Sequence, residues 1–323
     1  MTLGTFHGQS IAITGGTGSF GMAFARHLLT HYDPARVILY SRDEVKHDKA
    51  RTALNDPRVR CFVGDVRDVY RLRRAFDHVQ CVVHAAAMKR VPECEANPHE
   101  AFNTNIMGTV NVANAAIDAG VGRVVGLSTD KAASPANFYG VTKLAAERLL
   151  INSNVYAPGR TAFACTRYGN VMGSTGSVVP VWRAQAAAGK ISMTSAAMTR
   201  FAMTMADAVV LVDTALHRMT GGEIFIPKLK ALRLADLAAV LAPHARIEVT
   251  GARPGEKFHE ALVAPEDVGE LYDDADVYIL YPRETPWRSL PMVRQGRPVG
   301  EGFRYTSDAV PLLTAAEIRE VIG

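Results

Sequence analysis

The sequence predicts an α/β fold, a doubly wound parallel sheet with a smaller C-terminal lobe interleaved with it. Three observations carry this. Short β-branched runs alternate with helix-patterned segments through the first half; a glycine-rich turn joins the first run to the first helix; and the rhythm changes beyond about Lys228. A chain of 323 residues that is 48% apolar can bury one large core or two smaller ones.

The runs "SIAITGG", "RVILYSR", "VRCFVGD", "CVVHAAA" and "RVVGLST" have strand length, and each precedes a helix-spaced segment such as "GMAFARHLL" or "TVNVANAAIDAG". Strands of this composition suit a parallel sheet covered on both faces. "TAFACTRYGNV" and "GEIFIP" read as further strands, with "MADAVVLVDTALHRM" as the helix between them. In the tail, "RLADLAAVLA" reads as helix and "RIEVTG" as strand, followed by "RPGEK" and a region rich in proline, arginine and aspartate. The tail is expected to cover the carboxyl ends of the strands, where open α/β sheets bind ligands. Residues 1–169 and 205–228 are assigned to a dinucleotide-binding domain, and residues 170–204 and 229–323 to a substrate lobe.

"ITGGTGSFG" spaces Gly15, Gly18 and Gly21 three apart directly after the first strand. Such glycines permit a tight turn, close backbone approach to a pyrophosphate and close helix–strand packing, and the helix amides then face the phosphate charge. Tight turns use glycine for many reasons, so the triplet gains its meaning from lying between a strand and an amphipathic helix. The reading is a Rossmann-type cradle formed by Gly15, Thr17, Gly18, Ser19, Phe20 and Gly21. At the end of the second strand, "LYSRDE" puts Ser41 and Arg42 where NAD sites usually hold an acid and NADP sites a cation. Arg42 favours NADP; Asp43 beside it leaves NAD open. Asp65 and Val66 in "GDVRD" suit an edge and floor for adenine, and Ala85, Ala86 and Ala87 are small enough to let a cofactor pass. Small residues there would serve tight helix–sheet packing equally well.

Tyr139 and Lys143 lie four apart and share a helix face. A free tyrosine, with a pKa near ~10, is a poor base at neutral pH, and a neighbouring ammonium favours its phenolate. Such a pair can take a hydroxyl proton while hydride leaves the same carbon. Asp130 and Lys131 stand just upstream, and an enzyme that only oxidised an alcohol would not need them. The plain alternative is a solvated pair at a strand end.

The formal net charge of +4, from 36 basic and 32 acidic side chains, is too small to argue for nucleic acid but suits an anionic small substrate. "RLRRAF" reads as a solvated helix face. Cys61, Cys81, Cys94 and Cys165 show no Cys-x-x-Cys spacing and read as reduced thiols, with no metal site expected. The N-terminus does not read as a signal peptide, and no apolar run reaches membrane-spanning length, so a cytoplasmic protein without membrane partners is expected.

Taken together, "TGGTGSFG", "YSRDE", "GDVRD", "HAAAMKRVPECEANPHEAFNTN", "STDKA", "YGVTK", "RYGNVMGS" and "RPGEKFHE" resemble an extended short-chain dehydrogenase/reductase. More narrowly they resemble the 5-inverting UDP-N-acetylglucosamine 4,6-dehydratases that start pseudaminic acid synthesis. The resemblance implies NADP, UDP-N-acetylglucosamine and the product UDP-2-acetamido-2,6-dideoxy-β-L-arabino-hexos-4-ulose. Oxidising C4 acidifies the C5 proton, a base removes it, an acid helps the C6 hydroxyl leave, and hydride returns to C6. It further implies Asp130 as acid and Lys131 as base beside Thr129, Tyr139 and Lys143. A lysine base requires desolvation or a nearby cation to lower its pKa. Configuration-retaining dehydratases carry Asp-Glu at this position, and longer membrane-anchored relatives replace the tyrosine by methionine. Lys89, Asn105, Thr129, Asn170, Arg253 and Glu256, with Lys257 nearby, are expected to contact the nucleotide sugar, Asn105 and Thr129 from strand ends. Thr175 stands where relatives often have arginine, and "SAAMTRFAM" lacks a common Asp-Pro and tryptophan. The competing readings are a UDP-sugar 4-epimerase, a simple NADP-dependent dehydrogenase and a non-catalytic nucleotide sensor. A symmetric homo-oligomer is the default expectation.

Overall fold

The computed structural model describes residues 6–174 and 176–323. Strands β1 (Ser10–Thr14), β2 (Arg36–Ser41), β3 (Val59–Val63), β4 (Cys81–His84), β5 (Arg123–Thr129) and β6 (Ala162–Tyr168) run parallel in the order 3-2-1-4-5-6, with Ile224–Pro227 parallel beside β6. Every residue of β1 and β4 is buried, as a strand covered on both faces requires. The strand order reverses between β1 and β4, which opens a crevice at their carboxyl ends.

One face of the sheet is covered by helices Ser19–His31 and Met205–Arg218, whose Phe24, Leu28 and Val212 join Ile13 and Leu39 in one core. On the other face Leu72, Val112 and Leu150 pack with Ala12, Tyr40 and Val82. The helix Phe138–Asn152 starts where it does because Asn137 accepts from the Gly140 amide at 2.9 Å, satisfying an otherwise orphan donor. The "RLRRAF" stretch falls on helix Val69–Ala75, with Arg71, Arg73 and Arg74 exposed. Among the described residues no helix is long and apolar enough to cross a membrane.

The second lobe has its own core of Trp182, Met193, Leu237 and Ile318. It surrounds a sheet of Asn170–Val171, Thr199–Met203 and Ala231–Arg233 and the pair Lys190–Met193 with Arg246–Val249. The run "TAFACTRYGNV" is therefore two strands, not one. Gly169 makes the break: a Cβ there would lie 2.5 Å from that of Phe201.

The assignment of all of 229–323 to the second lobe needs correction. Leu271–Asp274, Val277–Leu280 and Arg297–Pro298 extend the large sheet antiparallel beyond Ile224–Pro227. The last parallel strand would otherwise present an open edge of unpaired backbone groups, and the hairpin pairs it.

Arg167 of β6 is wholly buried, its Nη2 2.5 Å and Nε 3.1 Å from the carboxylate of Glu147. Its Nη1 donates to the Leu262 carbonyl at 3.1 Å, so one guanidinium joins the sheet, a helix and the tail. Burial alone would raise the Glu147 pKa, but Arg167 outweighs it and the net shift is downward. The pair therefore stabilises fully at neutral pH and loses its contribution as pH falls through that lowered pKa. Arg167→Leu should cost about 3–5 kcal/mol by stranding the Glu147 charge, and adding Glu147→Leu should recover most of it. Urea unfolding of both variants checks this.

Candidate active site

At the switch point, Gly15 adopts φ +68°, and a Cβ there would come within 2.9 Å of the Ala86 amide nitrogen. A Cβ at Gly21 would lie 2.6 Å from Gly16. These two glycines therefore serve the turn and helix packing. Gly18, the N-cap of helix Ser19–His31, meets only the Gly15 oxygen at 3.1 Å and leaves its outer side open for a phosphate. Phe20 turns inward and stacks on Phe24 with ring centroids 5.7 Å apart.

Thr17 Oγ1 lies 2.7 Å from Ser41 Oγ, which is 3.0 Å from His47 Nε2. Asp43 caps the next helix by accepting from the Lys46 amide at 3.0 Å, so its carboxylate already has a partner. Arg42 is exposed, with Nη1 3.5 Å from Asp65 Oδ2. Asp65 is held more closely by Arg67, at 2.8 Å. Burial pushes the Asp65 pKa up, but the Arg67 hydrogen bonds prevail and the net shift is down. Val66 is only 5% exposed and packs over Gly108, so it is a core residue more than an open adenine floor.

Beneath Ala85–Ala87, His84 Nδ1 is 2.7 Å from Thr14 Oγ1 and its Nε2 is 3.0 Å from Thr109 Oγ1. Burial, helped by Lys143, drives its pKa to about 3, so the ring is neutral. Thr109 donates to the Asn105 carbonyl at 2.6 Å. The crevice, with its glycine turn, a helix N-terminus without a side-chain cap and a cation at the end of β2, fits a dinucleotide.

β5 ends at Thr129, and Asp130–Ala132 form one 3₁₀ turn. Asp130 is 1% exposed; its Oδ1 accepts from Thr129 Oγ1 at 2.8 Å and from Lys131 Nζ at 3.0 Å. Lys131 Nζ also lies 3.2 Å from Glu260 Oε1. Burial lowers the Lys131 pKa, but Asp130 and Glu260 raise it further, so the net shift is above the ordinary lysine value. This reverses the depressed pKa expected of a lysine base. Two carboxylates act on one ammonium.

Tyr139 and Lys143 are both buried on helix Phe138–Asn152. Burial pushes the Tyr139 hydroxyl up to about 12, while Lys131 and the hydrogen bond to Thr129 pull it down. The charge of Lys131 thus favours the Tyr139 anion, a contribution the helix spacing assigned to Lys143. Lys143 Nζ donates to the Leu127 carbonyl at 2.6 Å, and burial lowers its own pKa.

Asn105 is not at a strand end. It lies in a π-helical turn, Phe102–Met107, and is 1% exposed. Its Oδ1 accepts from the Met88 amide at 2.8 Å, and its Nδ2 donates to the Met88 carbonyl and Thr142 Oγ1, both at 3.0 Å. These bonds take both amide hydrogens of Asn105 and fix the segment before Lys89, which makes it first a brace for that loop. Lys89 exposes its side chain, yet partial desolvation lowers its ammonium's pKa. Asn170 is half-buried on its short strand, with Oδ1 unpartnered. Thr175 lies outside the described residues.

The "RPGEKFHE" stretch docks onto the turn after β5. Lys257 Nζ donates to the Ala133 carbonyl at 2.9 Å, and Asn137 Nδ2 to the Gly255 carbonyl at 3.0 Å. Gly255 has φ +73°, and a Cβ there would lie 2.8 Å from the Ala136 oxygen. Arg253 is exposed; Glu256 lies 3.3 Å from Arg200 Nη2. Sequence reasoning missed Arg67, Arg200 and Glu260. Arg200 sits within "MTRF" and Glu260 ends the very stretch that drew notice, but nothing in either marked a partner.

The profile of the family described as "Polysaccharide biosynthesis protein" matches residues 11–282. The chain belongs to that family. Within it, an extended short-chain dehydrogenase/reductase group, the chain is similar to "UDP-N-acetylglucosamine 4,6-dehydratase (inverting)" of Campylobacter jejuni, 42% identical over 98% of each protein. It is also similar to "UDP-glucose 4-epimerase" of Rickettsia prowazekii, 41% identical over 98% of this chain and 96% of the relative. Among solved structures, Pen from Bacillus thuringiensis superimposes with TM-score 0.89, 35% identity and 98% coverage of both chains.

In this polysaccharide biosynthesis family member, Asn105 holds the loop between β4 and the candidate sugar site by two bonds to Met88 and ties it to helix Phe138–Asn152 through Thr142. Asn105→Ala should lower stability by about 1–3 kcal/mol, since it strands buried backbone groups. It should also speed hydrogen exchange at the Met88 amide; mass-spectrometric exchange and urea unfolding measure the two effects.

Proposed function

We propose that this chain is a 5-inverting UDP-N-acetylglucosamine 4,6-dehydratase that uses NADP. The observation that carries the reading is the pair of buried Asp130 and half-buried Lys131, 3.0 Å apart, set beside Tyr139 at the end of β5. A reaction confined to C4 needs the tyrosine alone; loss of water across C5–C6 needs a further acid and base. The C. jejuni dehydratase, alike over nearly the full length, supports this chemistry.

A dinucleotide held at the Gly15–Gly21 turn would supply the hydride chemistry that links C4 oxidation to C6 reduction. Tyr139 takes the C4 hydroxyl proton, with Thr129 holding the phenol and Lys131 favouring its anion. Lys131 rests as an ammonium. If its proton passes to Asp130, the pair becomes a neutral amine and a carboxylic acid with no change in total charge. The amine then takes the C5 proton, and Asp130 protonates the leaving C6 hydroxyl, which departs as water. Arg253 and Asn170, in the second lobe, are assigned to the diphosphate and sugar.

The epimerase named among the relatives is the second reading. Incubation with UDP-N-acetylglucosamine followed by product NMR separates them: a 4-keto-6-deoxy sugar is expected, and a C4 isomer alone would overturn the dehydratase assignment. Lys131→Ala should retain cofactor binding but lose incorporation of solvent deuterium at C5. Persistent exchange would remove Lys131 from the base role.

Arg42 has one distant partner, and Asp43 is spent on a helix cap, which favours the 2′-phosphate of NADP over a free ribose. Arg42→Ala should weaken NADPH binding about tenfold, roughly 1.4 kcal/mol, and leave NADH nearly unchanged. Fluorescence titration with both cofactors decides it.

A further inference from the structure

Glu260 is a buried carboxylate, 3% exposed, that the reaction scheme above does not use. Its main chain is fixed: the amide donates to Ser307 Oγ at 2.9 Å and the carbonyl accepts from the Ser307 amide at 2.8 Å. Ser307 is fully buried, with its hydroxyl 2.6 Å from Thr199 Oγ1. The Glu260 side chain is therefore aimed from a rigid base in the C-terminal segment.

It is aimed at Lys131. Oε1 lies 3.2 Å from Lys131 Nζ, against 4.0 Å from Arg200 Nε, and Oε2 lies 4.0 Å from Lys257 Nζ with no hydrogen-bond partner. A buried carboxylate costs several kcal/mol unless paired, and the ammonium at hydrogen-bond distance is the one across the lobe boundary. Arg200 is itself occupied by the Thr199 and Phe258 carbonyls, at 2.8 and 3.0 Å.

We propose that Glu260 is a positioning residue for Lys131, holding the amine between the two lobes against Asp130. The inference rests on Lys131 acting in the reaction, and it adds the group that sets where and in what charge state the amine waits. Because Oδ1 of Asp130 and Oε1 of Glu260 both face the ammonium, its direction is fixed by two anchors instead of one flexible stem. Asp130, Glu260, Arg200, Lys257 and Tyr139 are the ionisable groups around it. Glu260 raises the proton affinity of the amine, while Arg200 opposes it.

The test uses holoenzyme with lysine side chains labelled with ¹⁵N, the Lys131 signal being assigned by its loss in Lys131→Arg. In the wild type and in Glu260→Asp, Lys131 should remain an ammonium above the ordinary lysine range, near ~10.4. In Glu260→Gln it should titrate at least about one pH unit lower, a tenfold change in proton affinity. The same variant should lose about tenfold or more in kcat with KM for UDP-N-acetylglucosamine little changed, and Glu260→Asp should recover part of that loss. Identical Lys131 titration in wild type and Glu260→Gln would overturn the proposal. So would a wild-type Lys131 that titrates at or below the ordinary value, a measurement that stands even if Glu260→Gln fails to fold. C5 exchange surviving in Lys131→Ala would instead sink the base role and leave the Glu260 contact to be judged by the titration alone.

Discussion

The site is organised around one half-buried ammonium shared by two buried carboxylates. Lys131 follows β5 directly, so the sheet places it; Asp130 is its neighbour in sequence, and Glu260 arrives from the C-terminal segment. Burying two carboxylates is expensive, and the arrangement is tolerable only when the ammonium between them is present and in register. The second lobe thus docks on the first through the chemistry of the site itself. Gly255 and Lys257 serve the same end with backbone contacts to residues 133–137, which makes the "RPGEKFHE" stretch a docking element before it is a ligand contact.

The other buried ion pair shows the contrast. Arg167 and Glu147 approach more closely, are wholly buried and have the Leu262 carbonyl as a further acceptor, but no oxygen or nitrogen faces an open crevice. That is a cross-brace. At Lys131 the geometry is looser, and Asp130 Oδ2 and Glu260 Oε2 have no hydrogen-bond partner. Unsatisfied buried carboxylate oxygens are costly and rare, and they gather where a substrate supplies the missing donors. A sugar hydroxyl is such a donor.

Much of the architecture was legible because it rests on local signals. Strand-length apolar runs, the glycine turn and the four-residue tyrosine–lysine spacing each concern neighbours in sequence, and β1 to β6 fall where the runs lie. What escaped depends on pairing at a distance. The hairpin at Leu271–Leu280 reads as proline- and aspartate-rich tail until the unpaired edge at Ile224–Pro227 is known. Asn105 looks like a sugar contact until its amide is seen to brace the Met88 backbone. The charge states were least legible of all. Helix spacing suggested that Lys143 would favour the Tyr139 anion, yet Lys143 Nζ donates to a backbone carbonyl, and it is Lys131, from the preceding turn, whose charge favours that anion.

Under the proposed mechanism, the raised proton affinity of Lys131 bears on how one site would run both acid and base chemistry. A lysine already deprotonated at rest would be a ready base, but its Asp130 neighbour would then be a carboxylate with no proton to give. An ammonium hydrogen-bonded to a carboxylate stores the single proton that both roles need, and moving it across the 3.0 Å hydrogen bond between the two heteroatoms creates acid and base together. Desolvation by a bound sugar favours that neutral pair, since it removes the water that stabilises separated charge. Glu260 works against the transfer by stabilising the ammonium. In the proposed scheme the same contact holds the amine in place, so its loss slows turnover even though it eases deprotonation.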